Sequence, residues 1–230
     1  MADKNLETNC AAGHRAETRI GLSCAWIQWE NTMSARVVAI VGSYRRGGVT
    51  ESAVEAVLEG ARSKGAVTQM IRLNEQPLEF CTNCRQCTQD PGEARVKCSQ
   101  ADGLQQILSA VDAADAVVLA SPVNYYNVTA IFRRFQERLL GYIYWPWGQN
   151  GPALRSKRQP RKAVLVASAG MPGFLIPIAT GAARALGISA RTMGAKTVGK
   201  LWIGLAAGEP HHALSRGMLA RARKMGMRLA

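Results

Sequence analysis

The chain has 230 residues, with 29 Lys and Arg against 16 Asp and Glu and a formal net charge of +13. That length supports one domain with a sizeable core, and no apolar run approaches the ~18 continuous residues of a membrane span. There is no internal repeat or low-complexity tract.

Residues 1–33 are polar, with scattered Trp26 and Trp29 and no sustained period, so they read as an irregular N-terminal extension. Asp3, Glu7, Glu17 and Glu30 interrupt any basic amphipathic pattern, which argues against a signal or transit peptide. The domain proper is expected over 34–230. It opens with the apolar run Val37–Val41, which stops abruptly at Gly42-Ser-Tyr-Arg-Arg-Gly-Gly-Val-Thr50, after which Val54, Val57, Leu58 and Ala61 repeat at helical spacing. A strand handing over to a helix at such a turn makes an anion site. Ser43 and Thr50 supply hydroxyls, Arg45 a charged fork, Gly47 and Gly48 close backbone approach, and Thr50 an expected N-cap. A Walker loop is excluded by the missing Lys-Ser/Thr pair, and a dinucleotide fingerprint by the missing G-x-G-x-x-G.

Further strands are expected at 67–73, 116–120, 163–167 and 198–205. Helices are expected at 50–62, 99–112 (opened by a capping box Ser99-x-x-Asp102), 127–140, 174–186 and 209–228. Strands alternating with helices imply an α/β domain, a doubly wound parallel sheet covered on both faces, and the partly polar second strand suits an edge.

Four of the six cysteines fall in one segment, Cys81, Cys84, Cys87 and Cys98, as two consecutive C-x-x-C steps and a ten-residue gap. Four thiolates so placed can converge on a [4Fe-4S] cluster or a zinc ion, or remain reduced and metal-free. Cys10 and Cys24 carry no ligand spacing, and His14, His211 and His212 read as surface residues. Arg133, Arg134 and Arg138 read as the solvated outer face of a helix. Arg155, Lys157, Arg158, Arg161 and Lys162 read as a solvated loop, so no nucleic-acid partner is expected. The aromatic segment Gly141-Tyr-Ile-Tyr-Trp-Pro-Trp-Gly148 reads equally as an interface or as a satellite core under a long loop.

The chain resembles the flavodoxin-like NAD(P)H-dependent FMN reductases, in the branch that includes the iron-sulfur flavoproteins. Gly42, Ser43, Arg45, Gly48 and Thr50 match the family's G-S-P-R-x-x-G-N-T motif, with Tyr44 and Val49 departing from it. Pro122, Val123, Tyr125, Val128 and Thr129 match its second motif, with Asn124 and Tyr126 departing. The resemblance spans about residues 35–206. It implies a five-stranded sheet of order 2-1-3-4-5 with helices on both faces and FMN at the switch point. The phosphate would lie in the 42–50 loop, against Ser43, Arg45, Gly48, Val49 and Thr50. The isoalloxazine would lie against Pro122, Val123, Asn124, Tyr125, Asn127, Ser168, Ala169 and Gly170. NAD(P)H is the implied co-substrate, with some arginines reaching its phosphates, and a quinone, nitro or azo compound, flavin or protein is the implied acceptor. The hydride step requires no side-chain acid or base, so no catalytic residue is named. The resemblance further implies a homodimer or homotetramer in the cytoplasm, without a membrane partner. Its iron-sulfur flavoproteins use a shorter last cysteine gap than the one here. The competing class is a non-enzymatic, flavodoxin-like electron carrier with FMN or an iron-sulfur centre.

Overall fold

The computed structural model describes residues 34–208 and 213–230. The expectations for residues 1–33, with Cys10, Cys24 and His14, and for His211 and His212, lie outside the described residues. In chain order the elements are β1 (Arg36–Val41), α1 (Val49–Arg62), β2 (Val67–Arg72), α2 (Leu104–Ala113), β3 (Ala116–Asn124), β4 (Asn127–Val128) and α3 (Ala130–Glu137). Then come β5 (Ile143–Tyr144), β6 (Ala153–Leu154), β7 (Arg161–Ser168), α4 (Ile176–Ala179), α5 (Ala182–Thr192), β8 (Ala195–Ile203) and α6 (Arg216–Gly226).

The apolar runs become central strands because both of their faces are covered. Val37–Ile40 and Ala116–Ala120 have no solvent exposure at all, as a parallel sheet with helices on each side requires. The sheet runs β2-β1-β3-β7-β8, every neighbour parallel, which is the order 2-1-3-4-5 of a flavodoxin-like domain. The partly polar β2 is an edge, as its alternation suggested. One face packs Val54, Val57 and Leu58 of α1 and Met225 of α6 over Val37, Val118 and Val164. These two helices cross in backbone contact: a Cβ on Gly226 would stand 1.8 Å from the Val57 carbonyl oxygen. By the alternation of strand side chains, Ile107, Phe132, Phe135 and Leu186 of α2, α3 and α5 close the opposite face. No single helix among the described residues is long and apolar enough to cross a membrane.

Four expected elements differ in detail. The helix expected at 99 begins at Leu104, because Asp102 binds the buried guanidinium of Arg138 and the backbone N–H of Glu79 while its Oδ1 accepts the Leu104 N–H. The helix expected at 127 begins at Ala130, since Asn127 and Val128 first turn back to pair with Asn124 and Val123. It gives way after Glu137 to a 3-10 turn, Arg138–Tyr142. The helix expected at 174–186 breaks at Thr180 and Gly181, whose N–H donates to the Tyr126 carbonyl at 2.8 Å, and α5 then runs on to Thr192. The last helix starts at Arg216, where the Ser215 hydroxyl accepts the Met218 N–H.

Candidate functional site

The carboxyl ends of β1, β3, β7 and β8 open into a cleft of about 1250 Å³. Its first wall is the loop Gly42–Gly48. A Cβ on Gly42 would meet the Phe132 Cβ at 2.6 Å, so only glycine lets the chain leave β1 past α3. Thr129 ties this loop to the second motif. Its hydroxyl donates to the Gly42 carbonyl at 2.6 Å and accepts the Phe132 N–H, capping α3, while its own N–H donates to Ser121. Gly47 has φ +64°, and its N–H donates to Glu51. Glu51 is in turn held by Arg72, whose guanidinium is stabilised in its charged form chiefly by that hydrogen bond. The acid at the start of α1 is thus neutralised before it can repel an anion in the cleft.

The expected role of Thr50 is corrected. The N-cap of α1 is Gly48 in extended backbone, with no side-chain cap, and Thr50 sits inside the first turn. Its hydroxyl is shared with Ser168 at 2.7 Å, joining the β1 and β7 loops beneath the cleft. The positive end of α1 faces the cleft through Gly47, Gly48, Val49 and Thr50.

Eleven expected residues line this cleft: Ser43, Arg45, Gly48, Val49, Thr50, Pro122, Val123, Asn124, Ser168, Ala169 and Gly170. Two do not. Tyr125 is wholly exposed, and Asn127 packs its amide toward Gly181. Tyr125 and Tyr126 form the two-residue turn between β3 and β4, both in left-handed backbone at φ +46° and +62°. Asn-Gly usually fills such a turn, so two tyrosines here are strained. Sequence reasoning missed the loop after β8, where Ala206, Ala207 and Gly208 line the cleft and the Ala206 N–H is bonded to the Ala169 carbonyl. The signal was the run Gly204-Leu-Ala-Ala-Gly208, small residues directly after an apolar strand. Tyr44, at the family's proline position, lines the rim and accepts the Ile131 N–H on its hydroxyl.

The second constellation is the segment 77–99. Cys84 is exposed, while Cys81, Cys87 and Cys98 are half-buried, and all four are free thiols. Asn83 and Arg85 take left-handed backbone, which curls the two C-x-x-C steps. Burial raises the Cys87 thiol's pKa, and the charges of Cys98, Cys84 and Cys81 raise it further. The Gln86 backbone N–H and the Ser99 hydroxyl lower that of Cys84. Among the described residues, no three His, Cys, Asp or Glu side chains lie close enough to hold a single metal ion.

Arginines take the place of regular secondary structure in this segment, correcting the reading of several as solvated. Arg155 is buried and donates to the carbonyls of Gly141, Asp90, Gly92 and Cys87. Arg85 lies between the rings of Trp145 and Trp147, each centroid 4.0 Å away. Arg134 covers Phe80 and donates to the Leu78 carbonyl. Arg138, with a side chain 0% exposed, forms a bidentate pair with Asp102 and donates to Cys98 Sγ at 3.3 Å. Burial opposes charge on Asp102, yet the bonds from Arg138, Glu79 and Leu104 hold its pKa below the usual carboxylate value. Arg161 is likewise spent on the carbonyls of Ala114, Met193 and Asp112. Arg134, Arg138, Arg155 and Arg161 are therefore committed to the fold, not to nicotinamide phosphates. The aromatic segment packs on the cysteine segment as a satellite, with the Trp145 backbone N–H donating to the Thr88 carbonyl and its indole N–H to the Gln149 carbonyl, while Trp147 is exposed at the edge.

The model of the NADPH-dependent FMN reductase family matches residues 35–203. The chain belongs to that family. An iron-sulfur flavoprotein of Archaeoglobus fulgidus is 32% identical over 111 residues, 48% of each chain. Another, from Methanocaldococcus jannaschii, is 30% identical over 103 residues, 45% of this chain and 51% of its own. The matched region thus spans about half the length of these curated relatives. Among solved structures, an NAD(P)H:quinone oxidoreductase from Methanothermobacter marburgensis superposes with a TM-score of 0.62 at 19% identity, over 86% of this chain and all of its own. An azoreductase from Bacillus anthracis does so with a TM-score of 0.62 at 15% identity, over 84% of this chain and 99% of its own. These likenesses establish the shared fold.

Proposed function

We propose that the protein is an FMN-dependent NAD(P)H oxidoreductase that passes electrons to a quinone, nitro or azo compound, flavin or similar acceptor. The observation that carries this reading is the cleft at the switch point, which joins an anion-binding loop to a wall of small residues. Ser43, Arg45 and the N-terminus of α1 would hold the phosphate, while Ala169, Gly170, Ala206 and Ala207 leave room for a flat ring. FMN, when bound, supplies the hydride-accepting chemistry. Among the described residues the cleft lining contains no His, Cys, Asp, Glu or Lys. The chain's part is to orient two rings and exclude water, in a volume larger than one drug-sized ligand fills. The test compares FMN with riboflavin by fluorescence titration. Tight FMN binding and weak riboflavin binding are expected, and equal affinities would remove the phosphate from the 42–50 loop.

We propose further that Cys81, Cys84, Cys87 and Cys98 hold a [4Fe-4S] cluster, which when bound supplies one-electron transfer. Their fit rests on the chemistry of four free thiols in one segment and on N–H donors at two sulfurs, Asn83 to Cys81 and Arg138 to Cys98. A cluster makes the electron-carrier reading a live competitor, and direct reduction by NAD(P)H separates the two. A reducing, cytoplasmic setting follows from the need for free thiols. The exposed Tyr125, Tyr126, Phe174 and Ile178 support a homodimer or homotetramer.

A further inference from the structure

Cys81, Cys84 and Cys87 are separated by two residues each, so they share one short stretch of backbone. Cys98 lies beyond a ten-residue gap and must be placed from outside. Three contacts do this in sequence. Arg155 takes the carbonyls of Cys87, Asp90 and Gly92, fixing the start of the gap. The Val96 N–H donates to the Gly141 carbonyl at 3.0 Å, fixing its far end. Arg138 then reaches the sulfur itself, with Nη2 3.3 Å from Cys98 Sγ.

The Arg138 guanidinium is immobile where it makes that contact. Nη1 donates to the Glu79 carbonyl at 2.6 Å and to Asp102 at 2.8 Å, and Nη2 donates to the second Asp102 oxygen at 3.2 Å. Its Nε is buried without a partner, so the charge is not fully solvated by the fold. Arg85, Arg134 and Arg155 flank the same segment and have no carboxylate partner among the described residues. Cys98 therefore has a fixed, buried cationic donor at its sulfur. Reduction of a cluster adds one electron and makes the sulfurs more negative. A donor aimed at a thiolate sulfur favours that state, and it does so most strongly where water is scarce.

We propose that Arg138 is the positioning residue for Cys98: its N–H···S bond places the fourth thiolate across the long gap and raises the reduction potential of the cluster. This rests on the cluster reading above. A lysine cannot reproduce the arrangement, since its single ammonium has no planar fork with which to meet two Asp102 oxygens and a sulfur together.

The experiment is an EPR-monitored redox titration of the full-length protein and of Arg138→Lys, both reconstituted anaerobically with iron and sulfide and assayed for iron and FMN. The expected result is unchanged FMN content with a cluster midpoint moved to more negative potential in the variant. An unchanged midpoint with full iron would overturn the proposal while leaving the cluster in place. A wild-type protein that takes up no stoichiometric iron and sulfide would overturn the cluster reading and the proposal with it. Should the variant not fold, wild-type protein carrying guanidinium-¹⁵N arginine gives the second readout. A ¹⁵N hyperfine coupling to the reduced cluster is expected, and its absence counts against the contact.

Discussion

Thr129 is where the two halves of the cleft are joined, and Thr129→Val removes its hydroxyl while keeping its shape. The residue is wholly buried, so nothing from solvent replaces what is lost. The Gly42 carbonyl loses a 2.6 Å donor and the Phe132 N–H loses its cap. A buried group left unpaired costs about 1–3 kcal/mol, and a lost N-cap about 0.5–2 kcal/mol. Because one hydroxyl serves both, the expected total is about 2–4 kcal/mol, or a fall in Tm of about 4–16 °C for a domain of this size. The Gly42 carbonyl also begins the phosphate loop, so FMN affinity should fall beyond the loss of stability. Thermal unfolding with and without FMN reads both effects. Thr129→Ser, which retains the hydroxyl, should lose about 1 kcal/mol or less. A loss in the Ser variant as large as that in the Val variant would show that the hydroxyl's bonds do not dominate, and would refute the reasoning.

Arg45→Ala should weaken FMN binding about 10- to 150-fold, the equivalent of the ~1.5–3 kcal/mol of a charge-assisted bond, with no change in the apo-protein melt because Arg45 is exposed. Undiminished flavin retention after gel filtration would take Arg45 out of the site. Tyr126→Gly should raise stability by up to about 1 kcal/mol in urea titrations, since relief of left-handed strain outweighs the added chain entropy; a clear loss would mean the ring packs on something that matters. Asp102→Asn should cost about 3–5 kcal/mol at neutral pH by leaving Arg138 buried without its counter-charge. The folded-state pKa of Asp102 is depressed, so its contribution is complete above the unfolded value of about 3.9 and drains away as pH falls through the lower folded value. The gap between wild type and variant should accordingly close in acid, and a gap that widened below pH 4 would contradict the pair.

The strands were legible because their apolar runs are continuous and end in small residues, and the same ends identified eleven of the cleft's residues. What misled the reading was charge. Arg138 and Arg155 look like solvated residues by spacing, and only the tertiary structure reveals the carbonyls, the carboxylate and the sulfur that bury them. Ser99 and Asp102 have the spacing of a capping box, but the Asp102 carboxylate meets a buried guanidinium and the N–H of Leu104, so the helix starts five residues later. Thr50 looks like a cap because it precedes the apolar period, yet Ser168, 118 residues away, claims its hydroxyl. The Tyr125–Tyr126 turn breaks the local preference for Asn-Gly, so its geometry could not be read from residue type.

The account's central claim is that this cleft holds FMN where a nicotinamide can reduce it. Protein loaded with FMN under anaerobic conditions and mixed with NADH or NADPH in a stopped-flow spectrometer tests that claim most directly. The flavin absorbance should bleach with one of the two nucleotides, without a partner protein, and return when a quinone is added. A flavin that stays oxidised with both nucleotides, but is bleached once a separate reductase is supplied, would contradict the account and make the protein an electron carrier.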